Sequence, residues 1–142
     1  MKQEFDLDSF LPYQLSVAAS RVSRAFAERY RRDFGLSIPE WRVLAHLAQA
    51  GAVSVREIHA RVDLDKSRVS RAAARLEAAG HISKTPDPQD GRLVQLALTD
   101  KGRGLVDRII PVAMQYQAEL EARLGNEAES LRRALARLEE TT

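Results

Sequence analysis

The residues best suited to chemistry lie between positions 65 and 103. This segment, DKSRVSRAAARLEAAGHISKTPDPQDGRLVQLALTDKGR, sets basic side chains among small residues and then enters a loop rich in Pro, Asp and Gly. Guanidinium groups bond bidentately to guanine and pair with phosphates, and serine hydroxyls bind bases or phosphates. The segment therefore indicates nucleic-acid recognition. A solvated charged helix followed by an ordinary hairpin is the alternative.

The distribution of charge favours the first interpretation. The net charge is only +2, with 22 Lys/Arg and 20 Asp/Glu. Residues 54–103 hold ten Lys/Arg and seven Asp/Glu, a net of +3, and the other 92 residues hold twelve and thirteen, a net of −1. The positive excess therefore coincides with the arginine-rich segment.

Length and composition predict a cytoplasmic globular protein. The 142 residues fit one domain with a real core, and the absence of cysteine excludes disulfides and thiol chemistry. The N-terminal stretch MKQEFDLDSFLPYQL is acidic and lacks the layout of a signal peptide. No apolar run approaches the roughly 18 residues of a membrane span, so we expect no membrane partner.

Nothing in the sequence points to an enzyme. No Ser, His and acid stand at a readable spacing, and there is no glycine-rich phosphate loop and no outstanding carboxylate pair. His46, His59 and His81 are too scattered to support a metal site. We expect neither catalysis nor a cofactor.

Two short helices joined by a tight turn are predicted to position the arginines. The sequence SVRE at 54–57 reads as a capping box opening a helix to residue 62, and Asp65 can cap a helix over 66–79. Between them Asp63 tolerates the left-handed geometry of a turn, and His59 can lie at an edge. This arrangement is typical of a helix-turn-helix. The residues expected to pack across the turn are Ile58, Val62, Leu64, Val69, Ala72 and Leu76.

The outward face of the second helix carries most of the candidate DNA contacts. The N-terminal residues of such a helix reach base edges in the major groove, and its N-terminus also favours a phosphate. The candidates are Ser54 at the start of the preceding helix and, on the second helix, Lys66, Ser67, Arg68, Ser70, Arg71 and Arg75.

A hairpin is predicted to follow. His81–Thr85 reads as a strand, PDPQDG as its loop, and Arg92–Leu98 as a second strand whose alternation indicates one buried face. Flanking helices are predicted over about 9–34 and from Thr99 onward, the latter kinked but not broken at Pro111. A last helix after Gly125-Asn126 carries the apolar residues Leu131, Leu135 and Leu138.

Three blocks of this sequence resemble the MarR family of winged helix-turn-helix regulators. They are DLDKSRVSRAAARLEAAGHI, DPQDGR and LALTDKG, in the family's order and spacing, and the resemblance covers nearly the whole chain. It implies a mainly α fold with a small β-hairpin wing, as a single domain over residues 1–142. The DNA-binding lobe would span about 37–98, and the dimerisation helices about 7–35 and 99–140.

The resemblance also implies a function. It predicts a homodimeric repressor that binds double-stranded DNA at a pseudo-palindromic operator and responds to a small aromatic or anionic effector. In the family's Asp-x-Arg wing motif the Asp braces the wing and the Arg enters the minor groove, and Asp90 and Arg92 match those positions. A simple ion pair at the hairpin end is the alternative for these two residues. A protein-interaction module without DNA binding is the alternative for the whole chain.

The sequence says less about the role of the outer helices and about the place of an effector site. Apolar stripes on the outer helices favour a dimer interface, with packing inside a monomer as the alternative. Arg132, Arg133 and Arg137 on the last helix are expected to be solvated or ion-paired. No effector site is assigned, because the conceivable liners also suit the core or the surface; these are Tyr13, Trp41, Arg42, His46 and Tyr116.

Overall fold

The structure, a computed structural model, describes residues 3–140. Within them a short 3-10 helix at Leu7–Ser9 precedes six α-helices and three short strands. The helices are α1 (Leu11–Phe34), α2 (Ile38–Ala50), α3 (Val55–Arg61), α4 (Lys66–Ala78), α5 (Asp100–Leu124) and α6 (Glu127–Glu140). The strands are β1 (Val53–Ser54), β2 (Ile82–Pro86) and β3 (Val94–Leu98). The predicted mainly α fold with a small hairpin is confirmed.

Local capping chemistry sets the starts of three helices, as predicted for Ser54 and Asp65. Ser37 Oγ accepts a hydrogen bond from Glu40 N at 3.3 Å, and the Glu40 carboxylate accepts one from Ser37 N at 3.4 Å. Ser54 Oγ accepts from Glu57 N at 3.2 Å, and Asp65 Oδ1 accepts from Arg68 N at 2.8 Å. Losing such a cap typically costs about 1 kcal/mol. These caps therefore place the starts of α2, α3 and α4.

Several boundaries differ from the sequence-based prediction by one or two residues. Strand β2 spans Ile82–Pro86 and not 81–85, and α3 ends at Arg61 and not at residue 62. Helix α1 begins at residue 11 and not 9, because Asp6 caps a separate 3-10 turn. Strand β3 begins at Val94 and not Arg92, because Leu93 N donates to Asp90 O at 2.9 Å and thus belongs to the wing turn. Helix α4 ends one residue early, at Ala78.

The sheet contains a strand that the sequence did not predict. Its order is β1-β3-β2 with antiparallel pairing, and β1 pairs Val53 with Leu96 and Ser54 with Gln95. Along β3 Leu96 is fully buried, whereas Val94 is 42% exposed, so the predicted alternating face is only partly buried. Because β1 pairs with β3 and is followed directly by α3, it connects the start of α3 to the base of the wing.

The predicted helix-turn-helix seam is confirmed. Ile58, Val69, Ala72 and Leu76 are at most 2% exposed, and Val62 and Leu64 pack against the same core. Fully burying an aliphatic side chain contributes about 1.5–3 kcal/mol relative to leaving it exposed. This seam therefore holds α4 with its basic residues outward.

The chain divides into two compact units, residues up to 109 and residues from 110 onward. In the second unit the leucines of α6, Leu131, Leu135 and Leu138, are 41–45% exposed. Arg132 pairs with Glu121 at 2.9 Å and with Glu129 at 3.6 Å, which confirms its predicted ion pairing. Helix α5 continues through Pro111 without a break, as expected.

The predicted apolar stripe of α1 is not buried within the first unit. Leu11, Leu15 and Val22 are 67%, 39% and 40% exposed, whereas Ala27 and Tyr30 near the C-terminal end reach the core. A dimer interface formed by this stripe stays a prediction.

His81 occupies the junction between α4 and β2. Its Nδ1 is buried without a hydrogen-bond partner, and its backbone carbonyl accepts a hydrogen bond from Thr99 N at 3.1 Å. Burial lowers the pKa of His81 below its ordinary value of 6.5, Lys101 and Arg108 lower it further, and Glu40 acts weakly in the opposite direction. The folded protein therefore favours the neutral imidazole.

This environment predicts acid sensitivity of the first unit. The unfolded chain takes up the His81 proton at a higher pH than the folded protein, so the free energy of unfolding falls as pH drops through 6.5 toward the lowered folded pKa. We expect the melting temperature to drop between about pH 7.5 and about pH 5.5, and His81→Gln to reduce that drop. Exposed His59→Gln serves as the control. Identical pH slopes for wild type and His81→Gln would contradict the prediction.

Candidate nucleic-acid interface

The basic residues of α4 lie on its outer surface, as predicted. Val69, Ala72, Ala73 and Leu76 form the buried face of this helix. All six candidates on the opposite side are exposed: Lys66, Ser67, Arg68, Ser70, Arg71 and Arg75. Their exposure is what a helix entering a DNA groove requires. That they contact DNA stays a prediction.

Two basic clefts flank α4. The first, which we call the arginine cleft, has a volume of about 620 Å³ and lies between α1, the start of α2, the turn before α4, and α4 itself. Five of the described residues that line it are arginines: Arg24, Arg42, Arg68, Arg71 and Arg75.

The second, which we call the wing cleft, lies between α3, α4 and the wing and has a volume of about 360 Å³. Its described lining residues include no carboxylate. Its basic members are Arg56, His59, Lys66, Lys84 and Arg92. The outer surface of α4 is therefore bordered by positive potential on both sides, and such a field attracts a polyanion.

The turn before α4 is braced by side chains from two helices. Asp63 adopts the predicted left-handed geometry, with a φ of 55°. Arg42 Nη1 on α2 donates to Val62 O at 3.3 Å and, more weakly, to Asp63 O at 3.5 Å. His59 Nδ1 lies 2.6 Å from Leu64 O, which explains why a histidine is tolerated here. The turn therefore holds α4 at a defined angle.

Asp90 and Arg92 form an ion pair at the wing tip. Arg92 Nε lies 3.2 Å from Asp90 Oδ1 and Nη2 lies 3.4 Å from Oδ2, while Arg92 N donates to Asp90 Oδ1 at 3.1 Å. These hydrogen bonds lower the pKa of Asp90. The Arg92 side chain is nevertheless 91% exposed. The ion pair therefore exists, and it holds Arg92 outward.

The wing loop is ordered by a second aspartate. Asp87 Oδ1 accepts hydrogen bonds from Gln89 N at 2.8 Å and from Asp90 N at 3.2 Å. Such Asx turns fix the backbone of a loop without a regular ladder. Asp87 therefore presets the position of Asp90, a role that the sequence analysis did not assign.

Ser54 has a structural task in this arrangement. Its hydroxyl caps α3, and its backbone pairs with Gln95 of β3. The predicted DNA contact by Ser54 is untested, and one lone pair of its oxygen is already engaged.

Four arginine and lysine residues that line the two clefts were not predicted to lie beside α4, although Arg42 was weighed as an effector liner. They are Arg24 and Arg42 in the arginine cleft and Arg56 and Lys84 in the wing cleft. Arg24 and Arg42 lie on helices assigned other roles, so no local signal links them to α4. Arg56 and Lys84 lie in a capping segment and an alternating strand, where exposed basic residues are common.

Three of the residues weighed as effector liners, Trp41, Arg42 and His46, lie on α2 in different surroundings. Trp41 belongs to an aromatic cluster, with ring centroids 5.5 Å from Phe26 and 5.9 Å from Tyr30. Burial raises the pKa of Tyr30 to about 12. His46 is 10% exposed, with Nε2 3.9 Å from Glu57 Oε2. Arg42 lines the arginine cleft.

Among residues 3–140 no helix is both long and apolar enough to cross a lipid bilayer. The same range contains no group of three or more His, Cys, Asp or Glu side chains placed to hold a metal ion.

The geometry defines a class of protein. A helix-turn-helix with an outward basic second helix, followed by a hairpin with a projecting arginine, is the winged-helix arrangement of DNA-binding proteins. Residues 34–93 match the model of the MarR family. This match over 60 residues confirms the resemblance to the MarR family of transcription regulators found in the sequence.

Individual relatives agree with this assignment. TtmR, an HTH-type transcriptional regulator of Methylorubrum extorquens, is 39% identical over 98 residues, covering 67% of this chain and 50% of TtmR. The chain thus spans about half of that relative. The repressor IacR of Pseudomonas putida is 27% identical over 133 residues, covering 93% of this chain and 79% of IacR.

A solved structure supports the fold over nearly the full length. The Bordetella bronchiseptica protein BpsR, whose DNA binding is regulated by 6-hydroxynicotinic acid, superposes with a TM-score of 0.79 and 25% identity. The match covers 98% of this chain and 96% of BpsR. These relatives support a regulator and lend no support to an interaction module without DNA binding.

Proposed function

We propose that this protein is a homodimeric repressor in the cytoplasm that binds a pseudo-palindromic operator and releases it when a small aromatic or anionic ligand binds. The observation that carries the proposal is the exposed basic face of α4 between two basic clefts. IacR is a repressor, and BpsR responds to a small carboxylic acid. Both relatives support the same role here.

On DNA, α4 enters the major groove with its N-terminal end toward the base edges. Arg71 and Arg68 offer bidentate contacts to guanine, and the serines offer contacts to bases or phosphates. Arg92 enters the neighbouring minor groove, where a narrow groove concentrates negative potential. Asp90 keeps Arg92 pointing outward until that contact replaces the ion pair.

Dimerisation supplies the second recognition helix. The apolar residues left exposed on α1 and α6, such as Leu11 and Leu135, support a helical interface between two copies. A two-fold dimer places its two recognition helices about 34–36 Å apart, one turn of DNA. The operator is therefore expected to contain two inverted half-sites.

Operator binding should depend steeply on salt. Each phosphate contact releases counterions, so a dimer that makes several contacts per half-site loses affinity by about 10³-fold between about 50 and about 200 mM salt. The measurement is fluorescence anisotropy with fragments of the DNA flanking the protein's own gene, with random DNA as competitor. Competitor-resistant and salt-sensitive binding is the expected result. Binding that random DNA abolishes on every flanking fragment would contradict a specific operator in that DNA.

A further inference from the structure

We propose that Thr99 and Lys101, at the start of α5, are positioning residues for operator binding. They hold the wing at a fixed angle to α4, so that α4 and Arg92 reach neighbouring grooves of the DNA together. Both act through α4 and the wing and not by contact with DNA. This inference rests on the proposed function, in which α4 reads the major groove and Arg92 enters the minor groove, and it adds the element that sets the geometry between those two contacts.

The connection between α4 and the wing is short and contains a glycine. Helix α4 ends at Ala78 and strand β2 begins at Ile82, so the connection consists of residues 79–81. Its central residue, Gly80, has a φ of 83°, in the left-handed region that glycine reaches without steric cost. The angle between α4 and the wing therefore depends on the groups that hold these three residues.

The first residues of α5 bind all three carbonyl groups of this connection. Lys101 Nζ donates a hydrogen bond to Ala79 O at 2.7 Å. Thr99 Oγ1 donates to Gly80 O at 2.6 Å, and Thr99 N donates to His81 O at 3.1 Å. Carbonyls at the C-terminal end of a helix have no partner inside the helix, so donors from another element satisfy them. We call Thr99 and Lys101, with these three hydrogen bonds, the α5 clamp.

The Thr99 hydroxyl joins two helix ends. It donates to Gly80 O just after α4, and it accepts a hydrogen bond from Gly102 N in the first turn of α5 at 3.1 Å. A hydroxyl carries one donor and can accept at the same time. One half-buried side chain thus fixes the start of α5 against the end of α4.

The Lys101 ammonium adds an electrostatic contribution. The carbonyl end of a helix carries a partial negative charge, and a cation beside it is stabilising. The stem of Lys101 passes close to Gly80, since a Cβ at Gly80 would lie 3.7 Å from Lys101 Cδ. Lys101 and Ala79 are both exposed, so water can replace the ammonium at this carbonyl. Loss of Lys101 therefore frees the connection while costing the fold little.

The wing extends directly from the α5 clamp. Ile82 pairs with Leu98 at the base of the hairpin, and the hydrogen bond between Thr99 N and His81 O continues this antiparallel pairing by one step. The hairpin is thus fixed at its base, and the direction of its tip, which carries Arg92, follows from the orientation of that base.

A second link between α4 and the wing is weaker. Lys84 Nζ on β2 lies 3.7 Å from Glu77 Oε1 on α4, and their side chains are 30% and 46% exposed. Exposed ion pairs contribute little and are screened by salt. The polar contacts that set the angle of the wing are therefore mainly those of the α5 clamp.

A fixed angle raises the contribution of the wing to operator binding. Once α4 lies in its groove, a wing at the correct angle presents Arg92 to the next groove at a high effective concentration. A wing that moves freely has to be ordered on binding, and this ordering costs conformational entropy. The contribution of Arg92 to affinity therefore depends on the α5 clamp. A residue that only stabilises the fold has no such effect among folded molecules.

The experiment is a double-mutant cycle between the α5 clamp and Arg92 in the full-length protein. Lys101→Gln removes the ammonium, and Thr99→Val removes the hydroxyl with little change in shape. Each is combined with Arg92→Ala, and operator affinity is measured by anisotropy at a temperature where circular dichroism shows every variant folded. Arg103→Gln removes an equal charge from an exposed position two residues later and is the matched control. Thr99→Ser, which keeps the hydroxyl, is the conservative control.

We expect Arg92→Ala to weaken operator binding by about tenfold in the wild-type background, the typical loss of a charged contact. In the Lys101→Gln and Thr99→Val backgrounds the same change should cost only about threefold or less, because coupled residues are not additive. In the Arg103→Gln and Thr99→Ser backgrounds the loss should stay at about tenfold.

An equal loss on Arg92→Ala in every background would overturn the inference and leave Thr99 and Lys101 as residues that only stabilise the fold. The same reduced loss in the Lys101→Gln and Arg103→Gln backgrounds would overturn it too, since charge alone would then explain the effect. If Thr99→Val does not fold, Lys101→Gln decides the question. Failure of the wild-type protein to bind any operator, or an Arg92→Ala variant that binds like wild type, would instead contradict the proposed function.

Discussion

Replacing Arg71 by alanine is expected to lower operator affinity by about tenfold to a hundredfold and to relax the preference for one operator sequence. Arg71 lies in the second turn of α4, is exposed, and is held outward by the buried residues beside it, Val69 and Ala72. A bidentate arginine–guanine contact discriminates against the wrong base by about 1–3 kcal/mol. Removing it should therefore cost affinity on the operator more than on random DNA.

The measurement is anisotropy on the operator and on single-base variants of each half-site. The control is Arg32→Ala, which removes an equal charge from α1 at a site where the arginine pairs with Asp33 at 3.1 Å. If Arg71→Ala changed neither affinity nor sequence preference, α4 would not be the recognition helix. A uniform loss on all sequences would make Arg71 a phosphate contact and not a base contact.

Replacing Gly102 by alanine is expected to destabilise the first unit by about 2–4 kcal/mol. A Cβ at this position would overlap the backbone carbonyl oxygen of His81 and lie 3.3 Å from Leu98 Cδ2. The carbonyl cannot move freely, because it accepts a hydrogen bond from Thr99 N at 3.1 Å. The close approach of α5 to the α4–β2 junction thus requires glycine.

Gly104→Ala provides the matched control on the same helix. A Cβ at Gly104 would meet nothing within 4 Å. Alanine favours helix over glycine by about 0.5–1 kcal/mol, so this variant should be slightly more stable than wild type. Urea denaturation followed by circular dichroism measures both effects. Equal stability of Gly102→Ala and wild type would show that α5 does not pack against His81.

Gly102→Ala and Arg71→Ala together distinguish an effect on stability from an effect on DNA binding. Gly102→Ala should reduce operator binding only in proportion to the fraction of unfolded protein, so cooling or a stabilising osmolyte should restore it. Arg71→Ala should melt like wild type, since Arg71 is exposed and has no ion pair within residues 3–140, so it contributes little to stability.

Much of the DNA-binding lobe was predictable because its signals are local. Ser37, Ser54 and Asp65 each satisfy backbone donors within three residues, so helix starts follow from neighbouring side chains. Gly35 and Gly80 follow the ends of helices and adopt positive φ, a conformation that glycine reaches without steric cost. This signal is local as well. The arginine series on α4 is likewise a local pattern, since the period of the helix decides which residues face outward.

The sequence by itself determined the helices, the turn, the wing and the outward face of α4, because each depends on residues only a few positions apart. The tertiary structure alone decided the two-residue strand β1, the contact of Gly102 with His81, and the meeting of Arg24 and Arg42 with α4. These contacts join residues about 20 to 50 positions apart. No local propensity encodes them, because they arise only when the buried faces pack and bring distant segments together.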